Sequence, residues 1–165
     1  MKTLNDYLAV YKEQLEKGDI QKAYFGLMKS MMSLKSSFSD YFSDTFSFGN
    51  ISQGYMDFTY FPFFNEFLRE KKLRFGIILN HEKMRFEIWL MGQNAEVQKN
   101  YWNILKITKW NRHLQSMPKY SVLEAVLVKN PDFNKLDLLT EEMRGKVSDL
   151  SNEIISYLKT YHAKS

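Results

Sequence analysis

Six side chains between residues 51 and 92 combine both signs of charge with aromatic rings, which suits them to bind a ligand. Two come from a strand predicted at about 52–61, and four come from a predicted hairpin of strands 73–79 and 84–90. An arginine across from a tryptophan allows a cation–π contact, and an aspartate beside an arginine allows a bidentate ion pair. Such a set could hold a planar or anionic ligand. These residues form the predicted binding face: Tyr55, Asp57, Arg74, Arg85, Glu87 and Trp89.

A structural role is the alternative for this face, because the same side chains could form a partly buried network beneath a helix. Substituting Arg85 and Trp89 should separate the two cases. Loss of binding with the fold intact indicates a site, whereas unfolding indicates structure.

The sequence lacks the motifs of several classes of catalytic site. It has no glycine-rich phosphate loop, no G-x-S-x-G elbow and no cysteine. His81-Glu82 starts like a zinc motif, but Arg85 stands where the second histidine is required. Asp57 with Glu70-Lys71-Lys72 has the spacing of a metal-dependent nuclease. However, Glu70-Lys71-Lys72 lies in a charged run that is better explained as a solvated turn. The sequence predicts no catalytic residue, metal ligand or cofactor, and an enzyme of unknown class is the third-ranked function.

A basic and aromatic stretch at 97–120 supplies the second-ranked function. Its cations alternate with rings, and residues 97–123 contain no Asp or Glu. This pattern suits a single-stranded nucleic acid, whose bases stack on rings while its phosphates meet cations. An amphipathic helix with core aromatics and solvated lysines is the alternative. The residues concerned are Lys99, Trp102, Lys106, Lys109, Trp110 and Arg112.

Composition indicates one domain, 1–165, with 44% apolar and 16% aromatic residues and a net charge of +4. No apolar run approaches 18 residues, so we expect no membrane contact. A chain without cysteine fits the reducing cytoplasm. The aromatic surplus and an apolar stripe on the last helix could bury a homodimer interface, although that helix could equally cover its own sheet.

The predicted elements form an α+β fold in which helices cover one face of a small antiparallel sheet. Thr3 and Gly18 bound a first helix, and a second follows at once. Pro62 is expected to end the strand 52–61 and to start a short helix at 62–71. Helices are also predicted at 95–107, after Asn94, and at 135–161.

The pattern also predicts the hairpin register and the state of residues 121–129. Hairpin alternation predicts Ile77 opposite Phe86 and Arg74 opposite Trp89, around a loop at 80–83. Residues 121–129 fit either a helix, because Ser121 and Glu124 form S-x-x-E, or a buried strand, because valine is frequent. We favour the helix.

Three segments resemble a bacterial family of unknown function: 53-QGYMDFTYF-61, 80-NHEKMRFEIWLMG-92 and 130-NPDF-133. The resemblance extends over nearly the whole chain. It implies a single-domain, cytosolic bacterial protein, and it supports the helix at 121–129. It implies no activity and no site residues. The function expected is therefore a non-catalytic domain that binds a small ligand or a protein partner.

Overall fold

The structure, a computed structural model, describes residues 1–165 and confirms the α+β class. Five strands form one antiparallel sheet in which each strand pairs with the next along the chain: β1 (Ser47–Phe48), β2 (Phe58–Phe64), β3 (Leu73–Asn80), β4 (Arg85–Gly92) and β5 (Leu123–Val128). The helices are α1 (Leu4–Lys17), α2 (Asp19–Tyr41), α3 (Glu66–Glu70), α4 (Ala95–Leu105) and α5 (Leu136–Lys164), with a 3₁₀ turn at Phe133–Lys135.

The N-terminal helices begin and end where the sequence indicates. The Thr3 hydroxyl accepts from the Asp6 backbone N–H, while the Asp6 carboxylate accepts from the Thr3 N–H at 2.7 Å, so the capping box is complete. Gly18 has a φ of 80°, which a side chain would disfavour, and it joins α1 directly to α2. The two helices differ in burial, because α1 has no buried residue and α2 buries residues only from Met31 onward.

The main core lies between the sheet and helices α2, α4 and α5. Phe75, Ile77, Phe86 and Ile88 project from the two central strands into it. The apolar stripe on α5 packs there as well, with Met143, Val147, Ile154 and Leu158 fully buried. This helix therefore covers its own sheet, and its stripe is not available for a dimer interface. None of the helices combines the length with the apolar composition that a membrane-spanning segment requires.

The central hairpin has the predicted faces but a different register. Ile77 pairs with Ile88 and Gly76 with Trp89, so the predicted pairs Ile77–Phe86 and Arg74–Trp89 are wrong by two residues. The turn is four residues long, 81–84, instead of 80–83. A two-residue shift keeps every side chain on its face, which is why alternation alone could not detect it.

Strand β2 begins six residues later than predicted and runs through Pro62. The Pro62 carbonyl accepts from Gly49 on the β1 side. In an antiparallel strand the N–H of a residue points the same way as its C=O, so the missing N–H also faces the short edge strand. The alternation of β2 is opposite to the prediction, because Phe61 and Phe63 enter the core while Phe58 and Tyr60 lie on the other face.

Residues 123–128 form strand β5, so the predicted helix at 121–129 is wrong. The Ser121 hydroxyl does donate to the Glu124 carboxylate at 2.8 Å, but it does so at the start of a strand. The Val122 N–H donates to the Leu90 carbonyl, which begins the pairing of β5 with β4. A strand forms here because it pairs with the backbone N–H and C=O groups that would otherwise be free at the edge of β4. Residues 113–117, which precede β5, form a turn, bends and irregular structure.

Candidate functional site

The sheet face turned away from the helices holds a small second core and a polar network. Ile78, Trp89 and Met91 form this core, and Phe58 and Tyr60 of β2 pack against it. Cross-strand pairing adds Asn80 beside Arg85 and Glu124 beside Trp89. We call this the outer sheet face: Phe58, Tyr60, Arg74, Gly76, Ile78, Asn80, Arg85, Glu87, Trp89, Met91 and Glu124.

Glu87 is the centre of the polar network. Its side chain is only 3% exposed, and it accepts three hydrogen bonds. The indole N–H of Trp89 donates to Oε1 at 2.9 Å, while Nδ2 of Asn80 and Nε of Arg85 donate to Oε2 at 3.1 and 2.7 Å. Residues 85, 87 and 89 meet because alternate side chains of a strand share one face. The buried charge is thus paired and hydrogen-bonded, as its stability requires.

Arg85 is held through one edge of its guanidinium group. Only Nε contacts Glu87, and neither Nη amine has a hydrogen-bond partner in the protein. The side chain is 26% exposed. Asn80 steadies the neighbouring turn as well, because its Oδ1 accepts from the Lys83 backbone N–H at 3.1 Å. The network therefore fixes the position of a cation whose outer donors are free for another group.

Two adjoining cavities open on the outer sheet face. The first has a volume of about 350 Å³ and is bordered by three cations, Lys83, Arg85 and Lys119. The second measures about 280 Å³ and includes Arg74. Both are bordered by three shared rings: Phe58, Trp89 and Tyr120. Their volumes lie near the lower end of small-molecule sites, which span about 300–1,000 Å³.

The aromatic residues form a connected wall between the cavities. The rings of Phe58 and Trp89 meet edge to face with centroids 4.9 Å apart, and Tyr120 lies 6.4 Å from Phe58. Lys119 Nζ lies 5.1 Å from the centroid of the Tyr120 ring. Gly76 leaves room for the second core beside this wall, because a Cβ there would lie 2.7 Å from Met91 Cε. Flat apolar surface and positive charge are therefore adjacent.

Glu124 stands at the border of the first cavity, across from Trp89. Burial raises the pKa of its carboxyl group, and the nearby charge of Glu87 raises it further. The Ser121 hydroxyl, Arg85 and Lys83 act in the opposite direction. Protonation of Glu124 consequently becomes easier than in water, which would leave the three cations of this cavity opposed mainly by Glu87.

The six residues of the predicted binding face do not all converge. Arg85, Glu87 and Trp89 form the network, and Arg74 lies on the same face in the second cavity. Tyr55 is 95% exposed in a bend outside any strand and borders neither cavity. Asp57 reaches the margin of the second cavity. The predicted contacts of Arg74 with Trp89 and of Asp57 with an arginine are not present.

Asp57 has a local role instead. Its Oδ1 accepts from the backbone N–H groups of Tyr55 and Phe58 at 2.9 and 2.7 Å. These bonds lower the pKa of its carboxyl group, so it stays ionised. Glu70, the other half of the nuclease spacing, lies near the opposite end of β3. An eight-residue strand separates them by roughly 25 Å, so the two carboxylates cannot share a metal ion.

The basic and aromatic stretch 97–120 is largely integrated into the fold. Trp102 and Trp110 pack on the edge of the main core, and Trp110 meets Tyr157 edge to face. Lys109 forms an ion pair with Glu153 of α5. Lys106 donates to Asn103. Lys99 and Arg112 remain exposed without side-chain partners, so the stretch keeps cations but offers half-buried rings.

Sequence reasoning missed six residues that border the first cavity: Phe58, Asn80, Lys83, Lys119, Tyr120 and Glu124. Treating 121–129 as a strand would have placed Glu124 beside β4, and the residues before it close to Trp89. No sequence signal could have placed Phe58 on this face, because β2 carries aromatic rings on both of its faces. No group of three or more His, Asp or Glu residues is placed to hold a metal ion.

The family model of a domain of unknown function, DUF7000, matches residues 4–158. The chain belongs to the DUF7000 family. No curated protein and no solved structure matches the chain. The DUF7000 match extends from the first residue of α1 into the last turns of α5, so it includes both the outer sheet face and the N-terminal helical pair.

Proposed function

We propose that this DUF7000 protein is a non-catalytic binding protein whose outer sheet face takes a small anionic ligand with a planar apolar part. The observation that carries the proposal is the hydrogen bonding of the Arg85 guanidinium group. Its Nε is bound to the buried Glu87 carboxylate, while both Nη amines are unpaired at a cavity bordered by rings. A guanidinium group held this way is ready to donate two parallel hydrogen bonds to a carboxylate or phosphate.

The surroundings of Arg85 support an anionic group at this position. Lys83 and Lys119 border the same cavity without an ion-pair partner. Association would therefore gain charge-assisted hydrogen bonds without breaking existing ones. Phe58, Trp89 and Tyr120 offer ring surface beside these cations, which suits a planar ligand body.

The structural alternative, a network beneath a helix, has less support. No residue of a helix belongs to the second core or packs on it, since Phe58 and Tyr60 of β2 are its neighbours. The loop residues Lys119 and Tyr120 border the cavities. A face that carries two cavities and an arginine with unpaired Nη amines fits a binding site better than a network covered by a helix.

Calorimetric titration with benzoate, indole-3-acetate and adenosine monophosphate tests the proposal. These probes pair a carboxylate or phosphate with a planar ring. At least one should bind, and Arg85→Lys should weaken that probe about 10- to 100-fold, because lysine lacks the paired Nη donors. Arg112→Lys is the matched control, since it makes the same change at an exposed, unpaired arginine.

Two results would contradict the proposal. One is equal affinity of wild type and Arg85→Lys for the bound probe, with both variants folded. The other is no binding of any probe to the wild type at millimolar concentration. Chemical-shift changes at the Trp89 indole N–H would locate a bound probe, because that proton contacts Glu87 directly.

Nucleic-acid binding through 97–120 is the second candidate, and the exposed Lys99 and Arg112 support it. We also propose that the protein is bacterial and cytoplasmic; its cysteine-free composition supports a reducing compartment. Fractionation of the source cells tests the location.

A further inference from the structure

Helix α1 carries an apolar stripe that the rest of the chain does not cover. Leu4, Leu8, Tyr11 and Leu15 follow one another at steps of four, three and four residues, which is the spacing of a coiled-coil seam. Leu4, Leu8 and Tyr11 are 71%, 48% and 60% exposed. In a helix that had packed this stripe on its own domain, these would be the buried positions.

The exposed apolar surface extends beyond α1. No side chain among residues 1–30 is buried, and α2 adds exposed Ile20, Phe25 and Met32. A helix of 14 residues is marginally stable in water without tertiary packing. The capping box and two i,i+4 ion pairs, Lys12–Glu16 and Lys17–Glu13, add only about 1–2 kcal/mol together. Packing against a partner would supply the tertiary contacts that α1 lacks within its own chain.

The surface area of the molecule indicates the size of that partner contact. A folded monomer of 19.7 kDa should expose about 8,600 Å², whereas this chain exposes 10583 Å². The excess is roughly 2,000 Å², and a stable dimer needs to bury about 800 Å² on each subunit. The excess exposed area is therefore large enough to include a stable dimer interface.

We propose that the α1 stripe is a homodimer interface whose occupant is the same stripe of a second copy. Charge supports a second copy over other occupants. Residues 1–30 carry five Lys and four Asp or Glu side chains, so two copies meet without strong repulsion. A membrane-surface helix would instead have a polar face rich in Lys and Arg, and α1 holds two Lys against three acidic residues.

Sedimentation equilibrium of the full chain between about 1 and 100 μM tests this interface. The wild type should sediment at twice 19.7 kDa at the upper concentration. Leu8→Lys should weaken association at least about 100-fold, because a two-fold interface contains the substitution twice. Val10→Lys is the matched control: it is an equally exposed apolar residue of α1, but it lies about 130° around the helix from the centre of the stripe.

The oligomeric states of the wild type and the two variants decide whether the α1 stripe is the interface. A dimeric wild type and Val10→Lys with a monomeric, folded Leu8→Lys supports the proposal. A wild type that remains monomeric at 100 μM overturns it, as does a Leu8→Lys variant that dimerises like the wild type. Far-UV circular dichroism of Leu8→Lys shows whether the domain has folded. If it has not, Tyr11→Gln, a milder change in the same stripe, should weaken the dimer and decides the question.

Discussion

Replacing Glu87 with glutamine is the sharpest test of the network on the outer sheet face. The carboxylate accepts from Trp89, Asn80 and Arg85 at 2.9, 3.1 and 2.7 Å. Glutamine keeps the shape but replaces one oxygen with an NH₂ group, which must face at least one of these donors. Asn80 cannot simply rotate to accept, because its own oxygen already holds the Lys83 N–H.

The expected cost of Glu87→Gln follows from these contacts. One hydrogen bond to a charged group is worth about 1.5–3 kcal/mol. The lost attraction to Arg85, which is partly exposed, adds up to about 1 kcal/mol. We therefore expect the free energy of unfolding to fall by about 2–4 kcal/mol, and the melting temperature of a chain this size to fall by about 5–12 °C. Urea unfolding followed by circular dichroism measures the first quantity.

Glu124→Gln is the matched control for this experiment. It makes the same chemical change on the same face, but only the Ser121 hydroxyl is bonded to Glu124, and burial already disfavours its charge. Its free energy of unfolding at pH 7 should stay within about 1 kcal/mol of the wild type or rise. The reasoning is refuted if Glu87→Gln changes stability by less than about 0.5 kcal/mol, or if the two variants lose the same amount.

Two further predictions concern the outer sheet face, and a third concerns the stretch 97–120. Gly76→Val should lower stability by about 1–3 kcal/mol in urea unfolding, while Gly76→Ala costs less because the flexible end of Met91 can move; equal costs would contradict the close approach. Because the pKa of Glu124 is raised in the folded state, the folded protein binds this proton more tightly than the unfolded chain does. The contribution of this proton to stability is complete below the ordinary pKa of 4.5 and declines as pH rises through the folded pKa. Glu124→Gln should flatten that part of a curve of stability against pH, and an unchanged slope would argue against the raised pKa. If the stretch 97–120 binds a labelled single-stranded oligonucleotide, affinity should fall steeply between about 50 and 200 mM salt and fall further in Arg112→Gln, and absence of binding at the lower salt would remove this candidate.

Much of the fold could be predicted, because local chemistry decides it. Thr3 with Asp6 begins α1, Gly18 ends it, and Asn94 begins α4. Alternation in the central hairpin placed Arg85, Glu87 and Trp89 together on one face, as the structure shows. Residue periodicity determines which face a side chain occupies, and that was sufficient for the centre of the site.

The remaining parts depend on contacts that periodicity does not contain. Alternation is unchanged by a two-residue shift, so the hairpin register is decided by the turn, where Met84 takes a φ of 45° and Asn80 binds the Lys83 N–H. Strand β2 has rings on both faces, Phe58 and Tyr60 opposite Phe61 and Phe63, so composition could not show which set is buried. The state of 121–129 depended on the unpaired edge of β4, which only the assembled sheet reveals.

The ionic network on the outer sheet face is hard to explain as a device for stability alone. Replacing a buried ion pair with apolar residues of similar volume is often neutral or stabilising, because no charge must leave water. Ile78 and Met91 show that this face accepts apolar side chains beside Trp89. Leucine and methionine at 85 and 87 would extend that small core without a desolvated carboxylate. What they could not do is hold a guanidinium group with two free amines at the border of a cavity, and that capacity is what the arrangement of Arg85 on Glu87 adds to the fold.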